Sequence, residues 1–201
     1  MKMKFLAIVP IFAFTILTVK PLTGELPIGA DLPKAELKMK DITGKEVSFK
    51  EAKKKNGLLV MFTCNTCPVV HAYQSRTKEI CKYALDNNIG VILLNSNEAA
   101  RADGDSFTDM KEYAKAQGYA WYYVVDKNSE MANIFGANRT PECFLFNKEE
   151  KLVYHGAIDD NARSPESVGR HHLKEAIDQM NEGKDVAVKV TRSVGCGIKR
   201  L

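Results

Sequence analysis

Residues Gly57-Leu58-Leu59-Val60-Met61-Phe62 form an unbroken apolar run of strand length. A strand with one wet face alternates apolar and polar residues. An unbroken run marks a strand covered on both faces, as in a sheet flanked by helices. The fold must therefore supply a layer above and a layer below this segment. The chain can do so: it has 201 residues, 45% hydrophobic and 27% charged, an ordinary globular composition that excludes a disordered, collagen-like or disulfide-stapled chain.

The rest of the chain supplies the layers. Leu26 to Lys34, with Pro27 and Pro33, reads as extended. Ala35 to Lys50 alternates on either side of Asp41-Ile42-Thr43-Gly44 and predicts a hairpin, followed by a polar helical turn over Glu51 to Asn56. Pro68 to Asn87 has apolar residues at helical spacing, and Ile89 to Leu94 repeats the buried-strand pattern. Ser106-Phe107-Thr108-Asp109 is a capping box opening a helix with Phe107, Met110 and Ala114 inward. Tyr122 to Val125 reads as a strand, Ser129 to Phe135 as a short helix, and Cys143 to Asn147 with Leu152 to Gly156 as a closing hairpin. Pro165 to Asn181 reads as the last helix, with Val168, Leu173, Ile177 and Met180 inward. Alternating strands and helices imply an α/β fold with parallel pairing by right-handed crossovers, and the closing hairpin adds antiparallel edge strands. One domain is expected over residues 25–183, followed by a tail, residues 184–201, without clear period.

The first 24 residues differ in kind. Lys2 and Lys4 precede a 15-residue apolar run, Phe5 to Val19, too short to span a membrane comfortably and typical of a secretory signal. It is expected to be cleaved near Gly24 or kept as an N-terminal membrane anchor through residues 5–19. Either way the remainder is expected to be periplasmic or otherwise extracytoplasmic, where disulfides persist. Net charge is +4, of which Lys2, Lys4 and Lys20 supply three, leaving +1 from Glu25 onward. That is no footprint for nucleic acid.

Chemistry concentrates at Cys64-Asn65-Thr66-Cys67-Pro68, between the apolar strand and the next helix. A helix N-terminus presents free N–H groups and a positive dipole end, which favour a thiolate at Cys64. Cys67, one turn on, is placed to attack a mixed disulfide formed at Cys64. Other uses stand beside redox chemistry: a structural disulfide, a pair of inert thiols, or a metal site including His71, although the second Cys-x-x-Cys of a zinc site is missing.

This segment, with Arg139-Thr140-Pro141-Glu142, resembles the active-site motif and cis-proline loop of the thioredoxin superfamily. Residues 28–199 are similar to its AhpC/TSA-type, peroxiredoxin-like branch through four stretches: Val60 to Pro68, Leu94-Asn95-Ser96-Asn97-Glu98, Ile158-Asp159-Asp160-Asn161 and Val194-Gly195-Cys196-Gly197-Ile198-Lys199. The resemblance implies a thioredoxin-like fold, a central mixed sheet with helices on both faces and the hairpin as N-terminal extension. It implies Cys64 as nucleophile, Cys67 as resolving thiol, and a cis Thr140–Pro141 bond facing them whose backbone pairs with an extended substrate strand. The chain departs at two familiar positions, with Thr63 where thioredoxin has Trp and Leu58 where it has a buried Asp. In the TlpA/ResA-type reductases a Glu after the next strand handles the proton, and Glu98 matches it by position. The Pro-x-x-x-Thr/Ser-x-x-Cys signature of true peroxiredoxins is missing, with Gly57 at its first position.

The expected function is an extracytoplasmic thiol-disulfide oxidoreductase working through Cys64 and Cys67. It needs no cofactor, acts on protein disulfides or thiols, and draws on an upstream thiol-disulfide electron donor. The alternatives are a thiol peroxidase with Cys64 oxidised by peroxide and resolved by Cys67 or Cys196, and a copper or zinc carrier using Cys64, Cys67 and His71. Cys81 and Cys143 read as core, and His171-His172 as surface. Cys196, flanked by Gly195 and Gly197, reads either as a cysteine tucked against the domain or as a reachable thiol able to approach Cys64 of its own chain or a partner's, with an intermolecular disulfide or a metal role as further uses.

Overall fold

The structure, a computed structural model, describes residues 24–201. The leader expected over residues 1–24 lies, but for Gly24, outside them. Among the described residues no helix is long and apolar enough to cross a membrane.

A small hairpin, β1 (Met39–Lys40) and β2 (Glu46–Val47), precedes a short helix α1 (Phe49–Ala52). Then follow β3 (Gly57–Thr63), α2 (Pro68–Asp86), β4 (Ile89–Asn95), α3 (Phe107–Gln117), β5 (Tyr122–Val125) and α4 (Glu130–Phe135). The chain closes with β6 (Arg139–Thr140), β7 (Glu142–Asn147), β8 (Leu152–Gly156), α5 (His172–Asn181) and β9 (Cys196–Gly197). Five strands form one mixed sheet in the order β5-β4-β3-β7-β8, with β3 central. β3 and β4 run parallel, as do β4 and β5, whereas β7 lies antiparallel to both β3 and β8.

The pleat divides the apolar run. Leu58, Val60 and Phe62 point to one face, where α1, α4 and the N-terminal segment cover them with Phe49, Phe135 and Leu26. Leu59 and Met61 point to the other, covered by Tyr73 and Ile80 of α2, Met110 of α3 and Ile177 of α5. β7 splits likewise, with Phe144 and Phe146 on the first face and Cys143 and Leu145 on the second. Phe62, Phe135 and Phe144 meet edge to face at 5.1–5.6 Å between ring centroids. Truncating such a ring to Ala costs about 3–5 kcal/mol. Gly57 is required where β3 begins: its φ is +140°, and a Cβ there would lie 2.1 Å from the Phe146 carbonyl oxygen.

Four local expectations are corrected. β7 is interior rather than an edge strand, because it zips along β3 over the register Gly57–Asn147 to Phe62–Glu142. The first helical turn begins at Phe49, because Ser48 and Glu51 form a capping box there. The last helix starts at His172, not Pro165. Asp160 accepts the Gly169 N–H and donates its own to the Arg170 carbonyl, drawing this stretch out of the helix and leaving Val168 half-buried. The tail is ordered: Lys189 and Thr191 bond to the His155 backbone beside β8, and β9 pairs with β6.

Candidate active site

β3 ends at Thr63 and α2 starts at Pro68, so Cys64 to Cys67 form the turn between the central strand and a 19-residue helix. Cys67 is the N-cap residue, with Pro68 in the first turn where its missing N–H costs nothing. The Thr140–Pro141 peptide is cis and faces this turn: Cys64 Sγ lies 3.4 Å from the Thr140 hydroxyl, and Cys67 Sγ lies 3.5 Å from the Thr140 carbonyl oxygen. Glu142 fixes that loop by accepting the backbone N–H groups of Asn138 and Arg139, at 2.8 and 3.0 Å.

The sulfurs are arranged in a way the sequence did not anticipate. Cys67 is bonded to Cys196, 129 residues away, with the Cα atoms 6.0 Å apart, while Cys64 is a free thiol. The tail thus meets the second cysteine of the motif rather than Cys64. Three sulfurs share one small apolar cluster with Val70, and Cys64 is only 1% exposed. Burial pushes the Cys64 thiol above its ordinary range, against the donors at Thr140 and the Thr66 and Cys67 backbone; the Asp105 charge adds to the rise. The expected bias toward a thiolate is therefore outweighed in this closed arrangement.

β9 pairs antiparallel with β6, Thr140 opposite Cys196 and Arg139 opposite Gly197. The strand position expected for a substrate is held by the chain's own C-terminal segment. Gly195 makes this approach feasible, since a Cβ there would fall 2.1 Å from the Thr140 carbonyl oxygen. Beyond β9, Ile198 packs into the first core and its N–H bonds the Asn138 carbonyl, while Lys199 exchanges bonds with Ala99 and with the Asn97 side chain.

The acid beside the site is Asp105, a fully buried residue that sequence reasoning missed. One carboxylate oxygen accepts the Asn65 N–H at 2.7 Å and the Asn95 amide at 2.7 Å; the other accepts the Thr66 hydroxyl and the Asn97 amide, each at 3.0 Å. Both residues between the cysteines thus hang on one carboxylate. Asn65 is held further by the Gly104 carbonyl and the Tyr123 hydroxyl, and the His71 ring bonds its carbonyl oxygen. Glu98, expected to handle the proton, instead pairs with Arg101 at 2.7 Å, and Arg101 reaches on to Asn95 and the Asp105 carbonyl. The only signal for Asp105 was an acid directly before the Ser106 cap, which reads as a solvated turn.

The two remaining cysteines lie outside the sulfur cluster. Cys81 and Cys143 are fully buried and burial raises both thiols. His71 is exposed, and among the described residues no group of three or more His, Cys, Asp or Glu is arranged to hold a metal. Asp159 forms a buried pair with Arg76 at 2.6 Å and accepts the Tyr73 hydroxyl, tying α2 to the chain after β8.

A five-stranded mixed sheet with helices on both faces, a Cys-x-x-Cys turn at a helix N-terminus and a facing cis-proline loop define a thioredoxin-fold thiol oxidoreductase. The redoxin family profile matches residues 27–170, and the chain belongs to that family. No curated protein matches it. Among solved structures it is similar to an uncharacterised conserved protein of Geobacillus kaustophilus, with a TM-score of 0.80 and 29% identity over 87% of this chain and 93% of that one. A hypothetical protein of Sinorhizobium meliloti 1021 superposes with a TM-score of 0.78 and 30% identity, covering 90% of this chain and 99% of that one. The thioredoxin domain of a Bacteroides vulgatus thiol-disulfide oxidoreductase shares the fold, with a TM-score of 0.54 and 18% identity over 65% of this chain and 89% of that one.

Proposed function

We propose that the protein is an extracytoplasmic thiol-disulfide oxidoreductase with Cys64 as nucleophile and Cys67 as resolving thiol. The observation that carries this reading is the meeting of both sulfurs with the Thr140–Pro141 loop at the N-terminus of α2. The Cys64 thiolate attacks a protein disulfide and displaces one substrate thiolate. The Cys67 thiolate then attacks the Cys64 sulfur, releasing the second substrate thiolate and forming Cys64–Cys67. Two electrons pass to the substrate, and a thiol-disulfide donor restores them. Thr140 and Pro141 position the attacked disulfide against the sulfurs. Export rests on the signal-like residues 1–24 and suits a chain that carries a disulfide.

The test is reduction of a model protein disulfide by the pre-reduced enzyme. Cys64→Ser is expected to abolish it, and Cys67→Ser to accumulate a mixed disulfide on Cys64. Wild-type turnover by Cys67→Ser would overturn the two-cysteine mechanism. Hydrogen peroxide is expected to react slowly, because the Pro-x-x-x-Thr/Ser-x-x-Cys signature of true peroxiredoxins, with its arrangement of donors for the peroxide, is missing before Cys64. Fast, saturating peroxide consumption would favour a peroxidase instead.

A further inference from the structure

Two observations about the C-terminal segment call for one explanation. First, the Cys67–Cys196 bond uses a sulfur of the motif itself and leaves Cys64 free beside it. A purely structural staple has no reason to join one of two clustered thiols at a helix N-terminus, where a third thiol can exchange with it. Second, the segment lies as a strand against the Arg139–Thr140 backbone, with Cys196 opposite Thr140, and it covers Cys64. It occupies the backbone position an extended substrate would take, with its sulfur on the resolving Cys67 rather than on Cys64.

We propose that Cys196 is the third redox residue of this site: it takes over the disulfide from Cys64–Cys67, and the C-terminal segment docks as an internal substrate that closes the oxidised enzyme. The proposal rests on the reading of Cys64 as nucleophile and Cys67 as resolving thiol, and extends it by one exchange.

The step is isoelectronic. The Cys196 thiolate attacks Cys67 Sγ, the Cys67–Cys196 bond forms, the Cys64–Cys67 bond breaks, and the electron pair leaves on Cys64. The leaving thiolate is received by the Thr66 and Cys67 N–H groups and the Thr140 hydroxyl, then takes up a proton. The product is the arrangement seen here, one disulfide and a free, covered Cys64. Regeneration uses a dithiol protein as donor. Its thiolate attacks Cys196 Sγ, which is half-buried between exposed Val194 and Gly197 and is the reachable end of the bond, whereas Cys67 is buried. Cys67 departs as thiolate, the donor's second thiol displaces Cys196, and three thiols remain with the donor oxidised by two electrons.

The attachments of the segment suit a part that docks and leaves. Beyond the disulfide it is held by the two-residue pairing of β9 with β6, backbone bonds through Ile198 and Lys199, one of them to the Asn97 side chain, the Arg200 guanidinium on the Asn133 side chain and the Ala137 carbonyl, and a single core residue, Ile198. Breaking the Cys67–Cys196 bond removes its only covalent tie to the site, and substrate then reaches Cys64 and the Thr140 backbone.

The experiment oxidises the fully reduced protein with one equivalent of a model protein disulfide, quenches in acid, alkylates under denaturing conditions and maps the linkages by mass spectrometry. In wild type the expected end product is Cys67–Cys196 with Cys64 alkylated. In Cys196→Ser the same single turnover should still reduce the substrate and end at Cys64–Cys67. In Cys64→Ser, formation of Cys67–Cys196 should slow by more than about 100-fold, because the intramolecular handover is lost. A wild-type end product of Cys64–Cys67 with Cys196 alkylated overturns the proposal. So does Cys67–Cys196 forming equally fast in Cys64→Ser, since the bond would then arise without passing through Cys64. Failure of both wild type and Cys196→Ser to reduce the substrate would instead sink the underlying two-cysteine reading. The wild-type map stands even where a variant folds poorly.

Discussion

The turn Cys64–Cys67 and the segment Val194–Lys199 meet at one disulfide but are held by different means. The turn hangs on buried side chains: Asp105 takes hydrogen bonds from Asn65 and Thr66, and Tyr123 and His71 hold Asn65 from other sides. The segment hangs mainly on backbone bonds, to Arg139–Thr140, Asn138 and Ala99, with the Asn97 side chain, one core residue, Ile198, and one sulfur. A buried network either keeps all its partners or loses heavily, whereas strand pairing at an edge releases as a unit. The difference makes the turn a fixed platform and the segment the part able to move. Asn97 touches both, since its amide donates to Asp105 and its carbonyl oxygen accepts the Lys199 N–H. This explains why three of the four stretches that carry the family resemblance converge here.

The strongest way to break the comparison is Asp105→Ala. It strands donors from Asn65, Thr66, Asn95 and Asn97 in a dry site, at about 1–3 kcal/mol for each group left unsatisfied. A loss of about 4 kcal/mol or more is expected, lowering the melting temperature by about 8–16 °C for a chain of this size. A loss under about 1 kcal/mol would mean that the carboxylate does not hold the turn.

Cys196→Ser comes next. Removing the bond should cost about 2–4 kcal/mol, and amide hydrogen exchange should rise over residues 194–200 while Asn65 stays protected through Asp105. Equal loss of protection in both regions would abolish the distinction between platform and moving part.

A smaller effect concerns the pH dependence of Cys64. A thiol alkylates as its thiolate, so a raised pKa means a smaller reactive fraction at any given pH below it. In the oxidised protein, alkylation of Cys64 should be at least about tenfold slower at pH 8 than for a free cysteine, whose pKa is about 8.5. It should keep increasing with pH beyond the point where the free thiol levels off. Reduction of Cys67–Cys196 should accelerate it by uncovering the sulfur. Fast, pH-independent alkylation of the oxidised form would show that Cys64 is already a thiolate under the segment.

Local pattern carried the sheet, the motif turn and the Ser106 cap, because an unbroken apolar run, a Cys-x-x-Cys before Pro68 and a capping box are each set within a few residues. What it missed was set at long range. Asp103-Gly104-Asp105 reads as an exposed turn, and only its meeting with the ends of β3 and β4, where Asn65, Thr66, Asn95 and Asn97 donate to it, buries Asp105 beneath the motif. Cys196 was legible as a third thiol, but not its partner. The glycines beside it erase any periodicity, and the choice between Cys64 and Cys67 depends on strand register with Thr140. Periodicity reports burial, not which neighbour supplies it, so it cannot place β7 between β3 and β8.

The smallest expected effect compares the two acids. Glu98 matched the position of a proton-handling residue, yet its carboxylate is bound to Arg101, with side chains 13% and 23% exposed respectively. Such a partly exposed pair contributes about 0–1 kcal/mol. Arg101 keeps its bonds to Asn95 and to the Asp105 carbonyl without Glu98. Glu98→Gln should therefore change stability by less than about 1 kcal/mol and leave the pH profile of disulfide reduction where it was. The sensitive measurement is that profile in the pre-reduced enzyme. A proton-handling acid shifts or removes one limb when made neutral, whereas a residue that only steadies Arg101 moves neither. A displaced limb in Glu98→Gln would return the role to Glu98 and show that its carboxylate turns from Arg101 toward the sulfurs once the C-terminal segment has left.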